Sequence, residues 1–455
     1  MAILNGFFSA VNNIMSNYVL LFVLCGTGLY FTLRLGFIQV RGFGEGWRRT
    51  FGGLFAKNKD MKNGISSYQA LSAAIAAQVG TGNLAGAATA IAAGGPGAIF
   101  WMWVSAFLGM ATIYAEAVMA QKHKVTVDGQ TSGGPVYYIR AAFTGKGGKI
   151  LAAIFAVLLV LALGFMGNMV QSNSIGDAFA TAFHVNPLIV GVVIALISFF
   201  VFAGGVHRIV SLTEKIVPVM AAFYIIGALI VIFSNASNIL PAFRNIFVGA
   251  FAPQAVAGGV LGATVQKAMR YGVGRGLFSN EAGMGSTPHA HAIAKVDHPS
   301  QQGFVAIIGV FIDTFVILTL TALVILTSGT LLPDGSLTGT ALTQASFNSV
   351  FGSFGSIFIA ICMFFFAFST IIGWYFFGEA NIRYLWGKKA VKPYALLVSI
   401  FIVIGSALRV DLVWTLADTF NAFMVVPNLL ALLALSGSIA AINKDYYHNF
   451  KKKNK

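Results

Sequence analysis

Apolar runs of 18 or more residues recur along the whole length of this 455-residue chain. Each is long enough to cross a hydrocarbon core of about 30 Å. Inside lipid the backbone must satisfy its own hydrogen bonds, and a helix does so within one segment. Composition points the same way: 57% of residues are hydrophobic and 9% charged, against roughly 25% charged in a soluble domain. The fold class expected is an all-α polytopic membrane protein. Its two cysteines, Cys25 and Cys362, both fall inside apolar runs and suggest no disulfide framework.

Polar breaks divide the apolar sequence into eleven expected spans: about 17–36, 66–93, 97–120, 149–182, 187–205, 213–233, 253–284, 303–328, 350–378, 393–409 and 412–441. Alternate connectors differ sharply in charge. The stretches 34–63, 121–149, 204–215, 285–302, 379–392 and 442–455 hold 24 Lys and Arg together, while the opposite set holds only Arg244 and Arg409. By the positive-inside rule, the N-terminus lies outside and the C-terminus in the cytoplasm of a plasma-membrane protein. The net charge of +15 is thus an orientation signal, and no nucleic-acid partner is expected. The basic tail 442–455 is attracted to anionic lipid headgroups of the bilayer. FGEGWRRTFGGLF (43–55) is too short to span, mixes aromatic with basic residues, and reads as an interfacial helix.

The second span is interrupted at mid-depth by Val79-Gly80-Thr81-Gly82-Asn83. Glycine costs about 1 kcal/mol relative to alanine in a helix, so this run invites unwinding. Unwound backbone at membrane depth is tolerated only where it is buried in protein or lines a wet cavity. The seventh span has a matching interruption, with Gly272, Gly274, Gly276, Gly283 and Gly285 around Ser279-Asn280-Glu281. The two breaks lie five spans apart. The chain therefore divides into an extra helix and interfacial segment (1–65), a five-helix repeat (66–250), a second repeat inverted relative to the first (251–441), and the tail (442–455). Paired discontinuous helices in inverted repeats form the midplane binding sites of secondary transporters. Their free N–H groups suit a carboxylate and their freed carbonyls suit a cation. A glycine seam for close helix packing is the alternative reading.

Three stretches resemble motifs of the alanine or glycine:cation symporter family: IAAQVGTGNLAG (75–86), GGPGAIFWMWVSAFLG (94–109) and GLFSNEAGMGSTPHAHA (276–292). The resemblance runs through nearly the whole chain. It implies a LeuT-type fold, with one helix before a ten-helix core, and sodium- or proton-coupled import of small neutral amino acids.

A small zwitterion needs donors for its carboxylate, acceptors for its ammonium and a wall limiting its side chain. Gly80, Thr81, Gly82 and Asn83 offer amides, and Asn83 both donates and accepts; an interhelical hydrogen bond is its plainer alternative. Gly283 belongs to the matching second break. Asn168, Gln171, Ser172 and Ile175 share a helix face, and the resemblance implies that Gln171 touches the substrate. Ser369 and Thr370 are adjacent hydroxyls suited to sodium, and the resemblance adds the carbonyls of Ala76 and Val79. Back-bonding to the preceding turn is the alternative for both hydroxyls. Trp374 follows Thr370 by one turn and would shrink the pocket, or serve as an ordinary core aromatic. Glu281 and Asp313 are intramembrane acids, hence functional candidates; an ion pair with Lys267, Arg270 or Arg275 is an equal reading of Glu281.

GTGNLAG and GVGRG lack the strand and soluble βαβ unit of a dinucleotide fingerprint. Ser286, His289 and His291 lack the spacing of a nucleophile elbow or a helical metal pair. An enzyme is therefore not expected, and sodium is the coupling ion in place of any cofactor. The expected function is sodium-coupled import of alanine or glycine by alternating access, with a proton-coupled or uncoupled carrier, then a channel, as alternatives.

Overall fold

The computed structural model describes residue 6 and residues 10–52, 65–255 and 263–453, and these are helical almost throughout. Met15–Leu24 and Cys25–Arg34 join end to end as α1. Amphipathic α2 (Phe43–Phe51) occupies the predicted interfacial stretch, of which 53–55 lie outside the described residues. The first interrupted segment comprises α3 (Ser67–Gln78) and α4 (Gly82–Gly86, continuing as Ala87–Gly94). Then come α5 (Gly97–Lys122), the hairpin β1 (Val125–Val127) and β2 (Gln130–Ser132), α6 (Gly145–Phe183), α7 (Pro187–Phe202) and α8 (Gly205–Ser234). The second interrupted segment is α9 (Val265–Asn280) with α10 (Pro288–Ala292). It leads to α11 (Pro299–Ser328), α12 (Phe354–Trp386), α13 (Lys388–Ala407), α14 (Val410–Ala434) and α15 (Ser436–Asp445).

Among the described residues, seven helices are each long and apolar enough to cross a membrane: α5, α6, α8, α11, α12, α13 and α14. Shorter apolar helices occur in α1 and α7, and two further segments are divided by breaks. The outer helices present large apolar side chains outward, such as Leu196 and Phe200 on α7 and Val219 and Phe233 on α8. A soluble protein rarely exposes a patch of this size, whereas lipid requires one. Polar and charged side chains instead collect inside, around α5, which packs against α1, α9 and α11.

Local sequence accounts for the start of α3. Ser66 and Gln69 form a reciprocal capping box, with the Gln69 amide donating to Ser66 Oγ at 3.1 Å and the Ser66 amide to Gln69 Oε1 at 3.0 Å. The second interruption lies within the expected stretch but is narrower than its glycine count suggests. The helix α9 runs unbroken through Gly272, Gly274 and Gly276, and the break spans 281–287 instead. Consequently the segment predicted as 253–284 continues into α10, inside what reads as a connector, while 256–262 lie outside the described residues. The cause is packing: a Cβ on Gly272 would strike the Ala98 carbonyl, and one on Gly276 would come within 2.9 Å of Ser105 Oγ. These two glycines seat α9 against α5, the small-residue seam of close membrane packing.

Candidate functional site

At Val79 the chain leaves the helix (φ −82°, ψ 91°) and re-enters it at Gly82. Both glycines of the break are fixed by close approach. Gly80 lies against Thr370 Oγ1 and Gln171 Oε1, and a Cβ on Gly82 would stand 2.9 Å from the Ser279 Cα. Amides freed by the unwinding go to side-chain oxygens: Gly80 N–H donates to Asn83 Oδ1 at 2.9 Å, and Thr81 N–H to Gln171 Oε1 at 3.1 Å. The whole stretch from Val79 to Asn83 is buried in protein.

On α12, Thr370 Oγ1 reaches the Ala76 carbonyl at 3.0 Å and the Val79 carbonyl at 3.4 Å, and Ser369 Oγ reaches Ala76 O at 3.2 Å. The predicted four-residue oxygen set is thus brought together. The same hydroxyls also back-bond to Phe366 O, at 2.8 Å from Ser369 and 3.0 Å from Thr370. The back-bonding reading is thus met, with the Ala76 and Val79 carbonyls also within hydrogen-bond reach. The oxygen set is of the hard-ligand kind that suits an alkali cation.

Of the polar face on α6, only Gln171 touches the break. Asn168 bonds within its helix to Gly164 O at 3.1 Å, and Ser172 to Met169 O at 3.1 Å. Trp374 is fully buried, donates to Glu281 Oε1 at 2.6 Å and meets the Phe278 ring edge-on at 5.6 Å. Asn83, expected to face substrate, engages both ends of its amide within the protein, with Nδ2 donating to Asp313 Oδ1 at 2.7 Å.

The second break holds three residues at positive φ: Glu281 at 58°, Gly283 at 93° and Gly285 at 80°. Two of its amides converge on one carboxyl group. Gly283 N–H donates to Glu116 Oε2 at 3.1 Å and Gly285 N–H to Glu116 Oε1 at 2.9 Å. From α14, Asn428 Nδ2 donates to Glu116 Oε1 at 2.6 Å and to the Gly283 carbonyl at 2.9 Å, and Tyr138 holds Asn428 Oδ1 at 2.5 Å. Gly283, expected to contact substrate, has both backbone groups engaged this way. Sequence reasoning missed Glu116, Asn428 and Tyr138. Glu116 had a legible signal, as the single charged residue of the predicted span 97–120.

Glu281 does not pair with Arg275. Its carboxylate takes Trp374 and the Ser286 hydroxyl, while Arg275 forms a bidentate pair with Asp418 at 2.9 and 2.8 Å and lies over the Trp414 ring. That pair lines a cavity of about 270 Å³, which reaches Phe278 and Met284 beside the second break. Ser286 and His289 are no nucleophile–base dyad: the ring Nδ1 of His289 faces the Ser286 carbonyl at 2.7 Å.

The family model described as the sodium:alanine symporter family matches residues 1–455. The sodium/alanine symporter AgcS of Methanococcus maripaludis is 43% identical over 444 residues, covering 96% of each chain. The probable sodium/glutamine symporter GlnT of Bacillus subtilis is 44% identical over 436 residues, covering 96% of this chain and 89% of that one. Among solved structures, MhsT in complex with L-phenylalanine superposes with a TM-score of 0.56 at 13% identity, over 83% of this chain and 97% of that one. That likeness is one of fold, the LeuT-type transporter fold.

Proposed function

The chain belongs to the sodium:alanine symporter family, and from that premise we propose how its site works. It is a multi-pass secondary transporter that couples amino-acid import to an inward cation gradient, not an enzyme. Its coupling ion is sodium, held by Ser369, Thr370 and the carbonyls of Ala76 and Val79. One observation carries this reading: the hydroxyls of α12 converge on the carbonyls freed where α3 ends, 3.0 to 3.4 Å away. An ion there ties the first break to the opposite repeat, so sodium orders the backbone that receives the substrate.

The cargo is alanine or glycine. Relatives named for alanine and for glutamine are equally similar, so overall identity does not choose between them. The buried Trp374 indole supports a small cargo: held by Glu281 and Phe278, it is a rigid wall one turn from Thr370. The substrate is received at the first break, by Gly80, Thr81, Gly82 and Gln171. The chain crosses the plasma membrane eleven times, with its N-terminus outside and its C-terminus inside, as the 24-to-2 division of basic residues favours. The two five-helix repeats, 66–250 and 251–441, rock about the breaks to expose the site to either side.

The test is radiolabelled alanine uptake into proteoliposomes, with and without an inward sodium gradient, for the native chain and Thr370→Ala. Sodium-dependent uptake that needs about tenfold more sodium in the variant supports the assignment. Uptake driven equally well by a pH gradient alone would overturn it. Linkage adds a second check, because sodium and alanine must raise each other's affinity by one common factor.

A further inference from the structure

The junction of α12 and α13 carries charge that the chain does not balance. Gly387, at φ 77°, ends α12, and Lys388, Lys389 and Lys392 follow it, all three exposed. None of them forms an ion pair among the described residues. The nearest acid in sequence, Glu379, is taken by Arg383 at 2.7 Å. No acid stands in the first turn of α13 either. A helix start carries partial positive charge and favours anions, so three lysines there add like charge to like. An anion from outside the chain offsets both.

Beside the lysines lies a cavity of about 310 Å³ between α6, α12 and α13. Val157, Leu161 and Phe165, four residues apart on one face of α6, line it together with Trp386 of α12. Pro393, next in sequence to Lys392, and Leu397 complete it from α13. Its surface is apolar throughout, and a cavity without polar partners holds no ordered water. It opens to the outside of the bundle: Val157, Trp386 and Leu397 are 40%, 63% and 45% exposed. Leu396, Ile400 and Ile404 continue this exposed apolar face along α13, so the cavity is continuous with a surface that suits lipid. Trp386 stands between the lysines and that face, the setting an indole favours at a membrane interface.

We propose that the cavity and the three lysines form one site for an anionic phospholipid, with an acyl chain in the cavity and the headgroup phosphate on Lys388, Lys389 and Lys392. Basic pockets between membrane helices bind such headgroups. Neither half specifies the occupant alone. The lysines accept any anion and the cavity any hydrocarbon, whereas an anionic lipid supplies both in one molecule. Seated there, the lipid braces α6 against α12, the helices that carry Gln171, Ser369 and Thr370.

The experiment is native mass spectrometry of the purified, delipidated full-length chain in detergent at low salt. The chain is titrated with dioleoylphosphatidylglycerol or dioleoylphosphatidylcholine, which share their acyl chains and differ in net charge. The native chain holds a phosphatidylglycerol about a hundredfold more tightly than phosphatidylcholine, at about fivefold per lysine. Lys388→Gln, Lys389→Gln and Lys392→Gln together leave one fewer tightly held phosphatidylglycerol. Leu397→Trp, which fills the cavity, weakens that lipid about tenfold; the exposed lysines keep the test open if this variant does not fold. Equal affinity of the native chain for the two lipids would overturn the proposal, as would an unchanged lipid count in the triple lysine variant. Glycerol 3-phosphate bound as tightly as phosphatidylglycerol would make this a site for free phosphate and overturn the lipid. A folded Leu397→Trp that holds phosphatidylglycerol as the native chain does would remove the cavity from the site and overturn the proposal too.

Discussion

The two helix breaks look alike in sequence and are built on opposite principles. In the first, three residues leave the helix, and the freed groups meet neutral side chains: Asn83, Gln171, Ser369 and Thr370. In the second, residues 281–287 leave the helix with three positive φ angles, and a single carboxyl group, Glu116, takes two of the freed amides. Hydroxyl and amide partners can reorient, and carbonyls left beside hydroxyls can accept a cation. A carboxyl group that receives two backbone amides and an Asn is held by three donors, from the second break and from α14. The first break is therefore suited to change with ligand, and the second to stay fixed while helices move around it.

The largest test of that contrast is Glu116→Ala. It leaves the Gly283 and Gly285 amides unpartnered in the protein interior, at about 1–3 kcal/mol each, and takes one of the two acceptors of Asn428 Nδ2. The variant should lose several kcal/mol of stability, read as a marked fall in unfolding temperature in detergent. Saturating sodium and alanine should not restore it, because neither contacts this break. Full rescue by sodium would mean that the second break is also ordered by the ion. Gly285→Ala ranks next. Its φ of +80° costs a Cβ-bearing residue about 1–2 kcal/mol, and the new Cβ would stand 2.9 Å from Asn428 Cγ and from Pro135 Cγ. A stability loss of roughly 2–4 kcal/mol is expected from strain and overpacking together, and a neutral outcome would show that the second break yields.

The first break should respond in affinity rather than in stability. Gln171→Ala removes the oxygen that takes the Thr81 amide, a hydrogen bond contributing about 1 kcal/mol. The KM for alanine should rise about fivefold, with the unfolding temperature nearly unchanged. A collapse in stability with KM unchanged would assign Gln171 to scaffold and erase the distinction between the breaks.

Much of this was readable before any coordinates. Run lengths point to membrane-spanning helices, and the GTGN run marks the first break, because two glycines flanking a threonine and followed by an asparagine have little reason to sit mid-helix otherwise. The Ser369–Thr370 pair met its expected carbonyls for a similar reason: hydroxyls in an aromatic run stand out. The second break is narrower than the glycine run suggests, because glycine has two uses that sequence does not separate. At Gly272 and Gly276 it permits close approach of α5, and at Gly283 and Gly285 it permits positive φ. Glu116, Asn428 and Tyr138 come from three separate helices, so their meeting is a tertiary fact with no local signature. The Arg275–Asp418 pair, 143 residues apart, is hidden for the same reason.

Gly274 offers the smallest effect and a sharp control on that ambiguity. It lies on the same helix as Gly272 and Gly276, but a Cβ there would meet nothing within 4 Å. If the glycines of α9 were kept for flexibility, alanine at any of the three would impair transport alike. If they are kept for packing, Gly274→Ala is free of the constraint and gains helix propensity, up to about 1 kcal/mol. The packing argument expects Gly274→Ala to keep its uptake rate and sodium dependence, with an unfolding temperature equal to or slightly above native. Gly272→Ala, facing the Ala98 carbonyl, should lose about 1–3 kcal/mol by overpacking. Equal impairment in both variants would return α9 to the flexible segment that its glycine count suggests, and the rigid half of the comparison would shrink to Glu116 and its partners.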